Sequence, residues 1–253
     1  MSKRTILVLH GYTQSAATFS KRLGFLRKAS PDLDFVFLDG PTILLPADLS
    51  QFGTADTQAD INSSVEYRAW WRWKEEENKA IGLDETLLLL KETLQNRKFD
   101  GVLGFSQGAA LAALLAALLE RPHIHPPFLV DGNPPHPPFD FCVAVAGFRL
   151  RDPIADAILS EPFNTRTLHV LGRTDIMVPT ERARHLLDLS ANSRLEEHDG
   201  GHFLPSKTPW RKFMVEWIKT PNDDVPSPSA AVSGTSTPVG DGTSGTSTPL
   251  MKL

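Results

Sequence analysis

The chain has 253 residues, 41% hydrophobic and 22% charged, enough apolar content for one globular domain with a sizeable core. Its formal net charge of -4 gives no attraction to nucleic acid or to an anionic membrane surface. The single cysteine, Cys142, excludes an intramolecular disulfide, and its apolar neighbours predict a buried, inert thiol.

Residues 1–4 carry charge, but the apolar stretch after them is too short for a signal-peptide core, so a soluble cytoplasmic or nuclear protein is expected. That stretch, residues 5–9, is a continuous apolar run of the kind found in strands buried on both faces. It ends at His10-Gly11-Tyr12. Residues 16–28 read as a helix and 35–38 as a second strand, closing on the Asp39-Gly40-Pro41 turn. A long loop follows, with Trp70, Trp71 and Trp73 near its end. Two readings are open for these rings: packing a lid onto the core, or lining an acyl pocket. Arg68 beside them suits either a substrate anion or an ion pair with Glu66 or Asp84. Residues 83–95 form the next helical pattern.

Residues 101–105 are again strand-like and run into Gly104-Phe105-Ser106-Gln107-Gly108, followed by an Ala/Leu run over 109–119. This is the strand–turn–helix setting of a nucleophile elbow. A serine hydroxyl is a poor nucleophile until a base takes its proton, and it must stand clear of the backbone to meet that base and a carbonyl together. The sharp turn does this at a backbone cost of about 1–3 kcal/mol, and flanking glycines avoid the clash that side chains would make. The helix starting near Gln107 is apolar all round, as a buried helix is. It ends at Glu120-Arg121-Pro122, short of the ~20 apolar residues that cross a bilayer, so no membrane span is expected.

Residues 122–138 hold seven prolines and three histidines and read as a solvated insertion loop on the surface. His123, His125 and His136 have no acidic or cysteine partner at ligand-like spacing, so no metal site is expected there. Strands are expected over 141–146, 167–171 and, more weakly, 194–198, with helices over 181–190 and 209–218. Alternating strands and helices predict an α/β fold: a mostly parallel, doubly wound sheet with helices on both faces. Such sheets place ligands beyond the carboxyl ends of their strands, where Ser106 falls. From residue 220 the composition is Ser, Thr, Gly and Pro, and Gly-Thr-Ser-Thr-Pro at 234–238 recurs at 245–249. The catalytic domain is therefore expected over 1–219 and a disordered tail over 220–253.

A serine hydrolase needs a base, a group that orients it and an oxyanion hole. In α/β-hydrolases the chain order is Ser, then Asp or Glu, then His. Asp175 follows the strand at 167–171, and His202, after two glycines, follows the strand at 194–198, so these are the expected orienter and general base. Asp199 and Asp39 are rival acids, and His198 reads as structural. The residue after the nucleophile, Gln107, supplies one oxyanion N–H, and Tyr12 in the early loop is the expected second donor, with His10 bracing that loop. Trp70, Trp71, Phe105, Val178 and Phe203 are the expected substrate contacts.

His10-Gly11-Tyr12, the stretch Glu66-Tyr67-Arg68-Ala69-Trp70-Trp71, residues 99–110 and Gly200-Gly201-His202 together resemble the FSH family of serine hydrolases, over about residues 5–218. The resemblance implies a reduced α/β-hydrolase fold without a large lid and a triad at Ser106, Asp175 and His202. It implies a carboxylesterase acting on small acyl esters, or a thioesterase of the kind that releases polyketide or fatty acyl chains. No metal or organic cofactor is required by such chemistry. A non-catalytic binding module on the same fold is the remaining alternative. Oligomeric state has no signature in the sequence.

Overall fold

The computed structural model describes residues 3–49 and 66–229. Its strands are β1 (Arg4–Leu9), β2 (Leu33–Leu38), β3 (Thr42–Ile43), β4 (Arg68–Ala69), β5 (Arg72–Lys74), β6 (Lys79–Ile81), β7 (Gly101–Phe105), β8 (Phe141–Val145), β9 (Arg166–Gly172) and β10 (Ser193–His198). Six of them form one sheet in the order β10-β9-β8-β7-β1-β2, and every pairing in it is parallel. The short β3–β4 and β5–β6 pairs are antiparallel ribbons outside it.

Strand side chains alternate between faces, and the core divides accordingly. Ile6, Val8, Leu103 and Val143 pack with Phe19, Leu26 and Trp217 on one face. Leu7, Leu9, Val102 and Cys142 pack on the other with the helices Leu83–Asn96 and Gln107–Glu120. Both faces being covered explains why the strands read as unbroken apolar runs. Residues 107–119 are all buried, so the Ala/Leu run is a core helix; among the described residues no helix is long and apolar enough to cross a membrane. Burial pushes the Cys142 thiol up to about 12, which keeps it un-ionised.

The expected helix over 16–28 is two helices, Ala16–Arg22 and Gly24–Ala29, meeting at Leu23, whose ψ of 7° leaves the helical range. The break was masked in the sequence because Phe19, Leu23 and Leu26 stay buried across it. A helix at Pro153–Ile158 lies where none was expected. Asp152 caps it by accepting Ile154 N–H at 2.8 Å, and also accepts Ala80 N–H at 2.9 Å. The Asp-Pro pair is the signal that could have found it.

The 122–138 segment is less solvated than its composition suggests. It makes two 3₁₀ turns, Pro122–Ile124 and Pro126–Phe128, and buries Phe128. His136 is also buried: Nε2 accepts Phe99 N–H at 2.9 Å, leaving Nδ1–H to donate to Pro137 O at 2.6 Å. The ring satisfies a backbone donor just ahead of β7, which fixes it as neutral, and burial lowers its pKa. The described fold also continues past residue 219. Val225 is buried, Ser227 Oγ donates to Glu196 Oε2 at 2.6 Å and Ser229 Oγ to Glu197 O at 2.9 Å, so this segment covers the edge strand β10. The repeated Gly-Thr-Ser-Thr-Pro copies lie outside the described residues.

Candidate active site

The chain runs from β1 to β2 at one edge of the sheet, then returns to β7 on the other side of β1, so the switch point lies between β1 and β7. Leu9 pairs with Gly104, and the loops carrying Tyr12 and Ser106 therefore leave the sheet side by side. Ser106 has φ 53° and ψ -115°, a strained conformation for a residue with a side chain, and its N–H is held by Val145 O at 2.8 Å. The two elbow glycines are sterically required. A Cβ on Gly104 would come within 2.1 Å of Gly108 O, and one on Gly108 within 2.2 Å of Leu9 O.

Asp175 and His202 arrive from the ends of β9 and β10. Their loops are bound backbone to backbone: Arg173 N–H donates to His198 O at 2.9 Å and Thr174 N–H to Gly200 O at 3.1 Å. Gly172 allows this, since its Cβ would lie 2.4 Å from both Gly200 O and Gly201 O. His202 Nδ1–H donates to Asp175 Oδ2 at 2.7 Å, and its Nε2 accepts from Ser106 Oγ at 2.9 Å. Asp175 Oδ1 accepts Met177 N–H and Val178 N–H, each at 2.9 Å. The Asp175 side chain is thus fixed and only 2% exposed, while that of His202 is 20% exposed and open to a reactant. With Nδ1 protonated, Nε2 is the free base facing the hydroxyl.

The rival acids are engaged elsewhere. Asp199 pairs with Arg173 at 2.6 Å, and Asp39 accepts Ala16 N–H at 2.7 Å at the start of a helix. His198 is buried, accepts Gly200 N–H at 3.1 Å and stands edge-on to Trp210. Arg68 pairs with Glu66 at 2.6 Å and donates to Gly40 O at 3.1 Å. Among the described residues no three His, Cys, Asp or Glu side chains converge as a metal set.

These geometries are joined by likeness to known proteins. The family model described as serine hydrolase (FSH1) matches residues 1–214.

The chain belongs to the FSH1 serine hydrolase family.

Relatives of this FSH1-family chain include Esterase OVCA2 of Homo sapiens, 32% identical over 225 residues that cover 84% of this chain and 94% of that protein. Esterase OVCA2 of Danio rerio is 31% identical over 227 residues, covering 85% and 96%. A Schizosaccharomyces pombe protein named dihydrofolate reductase is 32% identical over 234 residues, 83% of this chain; the match spans only 46% of that protein. In fold, the FSH1-family chain is similar to acyl-protein thioesterase 2 of Zea mays, with TM-score 0.58, 20% identity and coverage of 87% and 94%. It is an α/β-hydrolase fold, and the chain is a serine hydrolase.

The five expected substrate contacts divide sharply in this FSH1-family chain. Trp70 is fully buried and presents no surface to a ligand; Trp71 and Val178 are nearly so. The two tryptophan rings, between strands β4 and β5 of the short ribbons, are turned inward, which the sequence did not announce, while Val178 packs against Leu171 and Ala183. Phe105 is 5% exposed, and its ring centroid lies 5.0 Å from that of His202, backing the imidazole. Phe203 is 49% exposed beside the base, and Ile176 and Met177, 87% and 45% exposed, extend the acid loop. Among the described residues, exposed apolar side chains therefore stand beside Asp175 and His202 on the two loops that carry them, and Ile176 and Met177 are residues that the sequence did not single out.

Proposed function

We propose that this hydrolase cleaves carboxylic acyl esters through an acyl-enzyme on Ser106. His202 Nε2 takes the Ser106 proton as Oγ attacks the carbonyl carbon, and Asp175 holds the imidazole and offsets the charge it gains. The Tyr12 and Gln107 amide N–H groups receive the oxyanion, aided by the partial positive charge at the start of the elbow helix. His202 then returns the proton to the leaving alkoxide, the tetrahedral intermediate collapses, and a water deprotonated by the same imidazole releases the acid. The observation that carries this reading is the unbroken hydrogen-bonded line from Ser106 Oγ through His202 to Asp175, at 2.9 and 2.7 Å. The oxyester substrate is favoured by the esterase names of relatives matched over 94–96% of their length. The apolar rim of Ile176, Met177 and Phe203 suits an apolar acyl chain.

A fluorophosphonate probe tests the chemistry: the wild-type chain is expected to label and Ser106→Ala to stay blank. Labelling that survives Ser106→Ala overturns the reading. Oxygen and sulfur esters of equal acyl length, compared by kcat/KM, then decide between esterase and thioesterase. Rates are expected to rise from acetate to longer chains.

A further inference from the structure

Trp70 has no substrate-facing surface, yet it is tied on every side to the elements expected to hold the oxyanion. Its backbone N–H donates to Gln107 Oε1 at 2.9 Å, and Gln107 Nε2 donates to Trp71 O at 2.9 Å. This pair fixes the orientation of the carboxamide, since a flipped amide would set oxygen against oxygen and nitrogen against nitrogen. The indole Nε1–H of Trp70 donates to His10 O at 2.8 Å, and its ring stacks on the His10 ring with centroids 4.9 Å apart. His10, fully buried, accepts Gly40 N–H on Nε2 at 2.9 Å and donates from Nδ1 to Gly11 O at 2.7 Å. Thr86 Oγ1–H holds Trp70 O from the helix behind. A continuous path thus runs from the Gln107 side chain through Trp70 and His10 to Gly11, the residue before Tyr12.

We propose that the Gln107 carboxamide and Trp70 are positioning residues that set the spacing between the Tyr12 and Gln107 backbone amides. Gln107 then acts twice: its N–H receives the oxyanion, and its side chain holds in place the loop that supplies the other donor. The physical need is clear. An oxyanion donor works only within hydrogen-bond distance of the developing charge, and the two donors here come from loops that part from one another after the Leu9–Gly104 pair, the Tyr12 loop being next tied by the isolated Gln14–Arg68 bridge, two residues before Trp70. The buried carboxamide and indole supply directional bonds that a purely apolar contact would not. This inference rests on the acyl-ester reading above, and the experiment separates the two.

Wild type, Gln107→Met, Gln107→Glu and Trp70→Phe are compared on one p-nitrophenyl ester, with active sites counted by the fluorophosphonate probe. Gln107→Met keeps length and volume but removes both bonds. Its kcat per active site is expected to fall roughly 10–100-fold with KM little changed, less than the ~10²–10³ cost of losing a donor outright. Trp70→Phe, which loses only the indole bond, is expected to fall between it and wild type, and the double variant is expected to lose less than the product of the two singles. Gln107→Glu supplies a signature that altered folding does not reproduce. Ionised, the introduced carboxylate accepts from Trp70 N–H but repels Trp71 O; protonated, it can both accept and donate, as the amide does. The ratio of its kcat to that of wild type, taken at each pH, is expected to rise as pH falls. A flat ratio, or unchanged kcat per active site in Gln107→Met, overturns the positioning role while leaving the hydrolase reading intact. If Gln107→Met does not fold, the Gln107→Glu ratio alone decides. Loss of Ser106-dependent turnover in wild type itself would instead overturn the hydrolase reading.

Discussion

Gly108 stands directly against His10: a Cβ at position 108 would lie 2.4 Å from the His10 carbonyl oxygen. The start of the elbow helix and the end of β1 therefore touch backbone to backbone, and the two loops of the candidate oxyanion hole share one rigid contact. Neither partner is the end of a flexible side chain, so nothing there can yield cheaply.

Gly108→Ala is accordingly expected to destabilise the fold by about 1–3 kcal/mol or more through overpacking, and to cost activity as well. Gly24→Ala is its counterpart, since a Cβ there meets nothing within 4 Å and the residue begins a helix. It is expected to stabilise by about 0.4–1 kcal/mol. Urea midpoints of the two variants should move in opposite directions.

Ser106 carries backbone strain that its chemistry demands. At an ordinary helical site glycine is less stable than alanine by about 0.5–1 kcal/mol. At φ 53° and ψ -115° the order should reverse, because alanine keeps the Cβ and glycine relieves it. Both Ser106→Gly and Ser106→Ala lose the hydroxyl, so their difference in melting temperature isolates the strain. A higher melting temperature for Ser106→Gly is expected; equal or reversed values would show an unstrained elbow.

Asp175→Asn separates orientation from packing. The new amide oxygen can still accept the Met177 and Val178 N–H groups that Asp175 Oδ1 now holds. Its NH₂ group, however, would face His202 Nδ1 and force the proton onto Nε2, the atom proposed to take the serine proton. A kcat loss of about 10⁴-fold with an almost unchanged melting temperature is expected. A loss under tenfold would remove Asp175 from the proposed triad.

His169, away from the site, is expected to add to the loss of stability in acid. It is buried beside Ser190, its Nε2 2.9 Å from Ser190 Oγ, and burial lowers its pKa from 6.5 to about 4. The unfolded chain thus binds the proton more readily. Its neutral form contributes fully above pH 6.5, and that contribution fades as pH falls from 6.5 towards 4, by up to about 3 kcal/mol over the interval. His169→Gln should flatten the stability–pH curve across that window. An identical slope in the variant would assign the acid sensitivity to other groups.

How far the fold was legible follows from burial. β8 (Phe141–Val145) is buried at every residue and reads as an unbroken apolar run, whereas the edge strand β10, Ser-Arg-Leu-Glu-Glu-His, has one face towards solvent and the 220–229 segment and reads weakly. The two- and three-residue strands β3–β6 are too short to carry a period, so the turning of Trp70 into the core was invisible. His136 looked solvated among prolines, and only the chain's return to Phe99 gave it a buried N–H to satisfy.

Ser106, its flanking glycines and the order of Asp175 and His202 are written in the chain itself, because an elbow demands small neighbours and strand-end loops follow the strands that deliver them. Which atoms meet is a different matter. That Gln107 would grip Trp70 and that Trp70 would reach His10 depended on loops brought together from distant parts of the chain. Directional hydrogen bonds across 37 and 60 residues of separation leave no local pattern, and only the closed tertiary structure decides them.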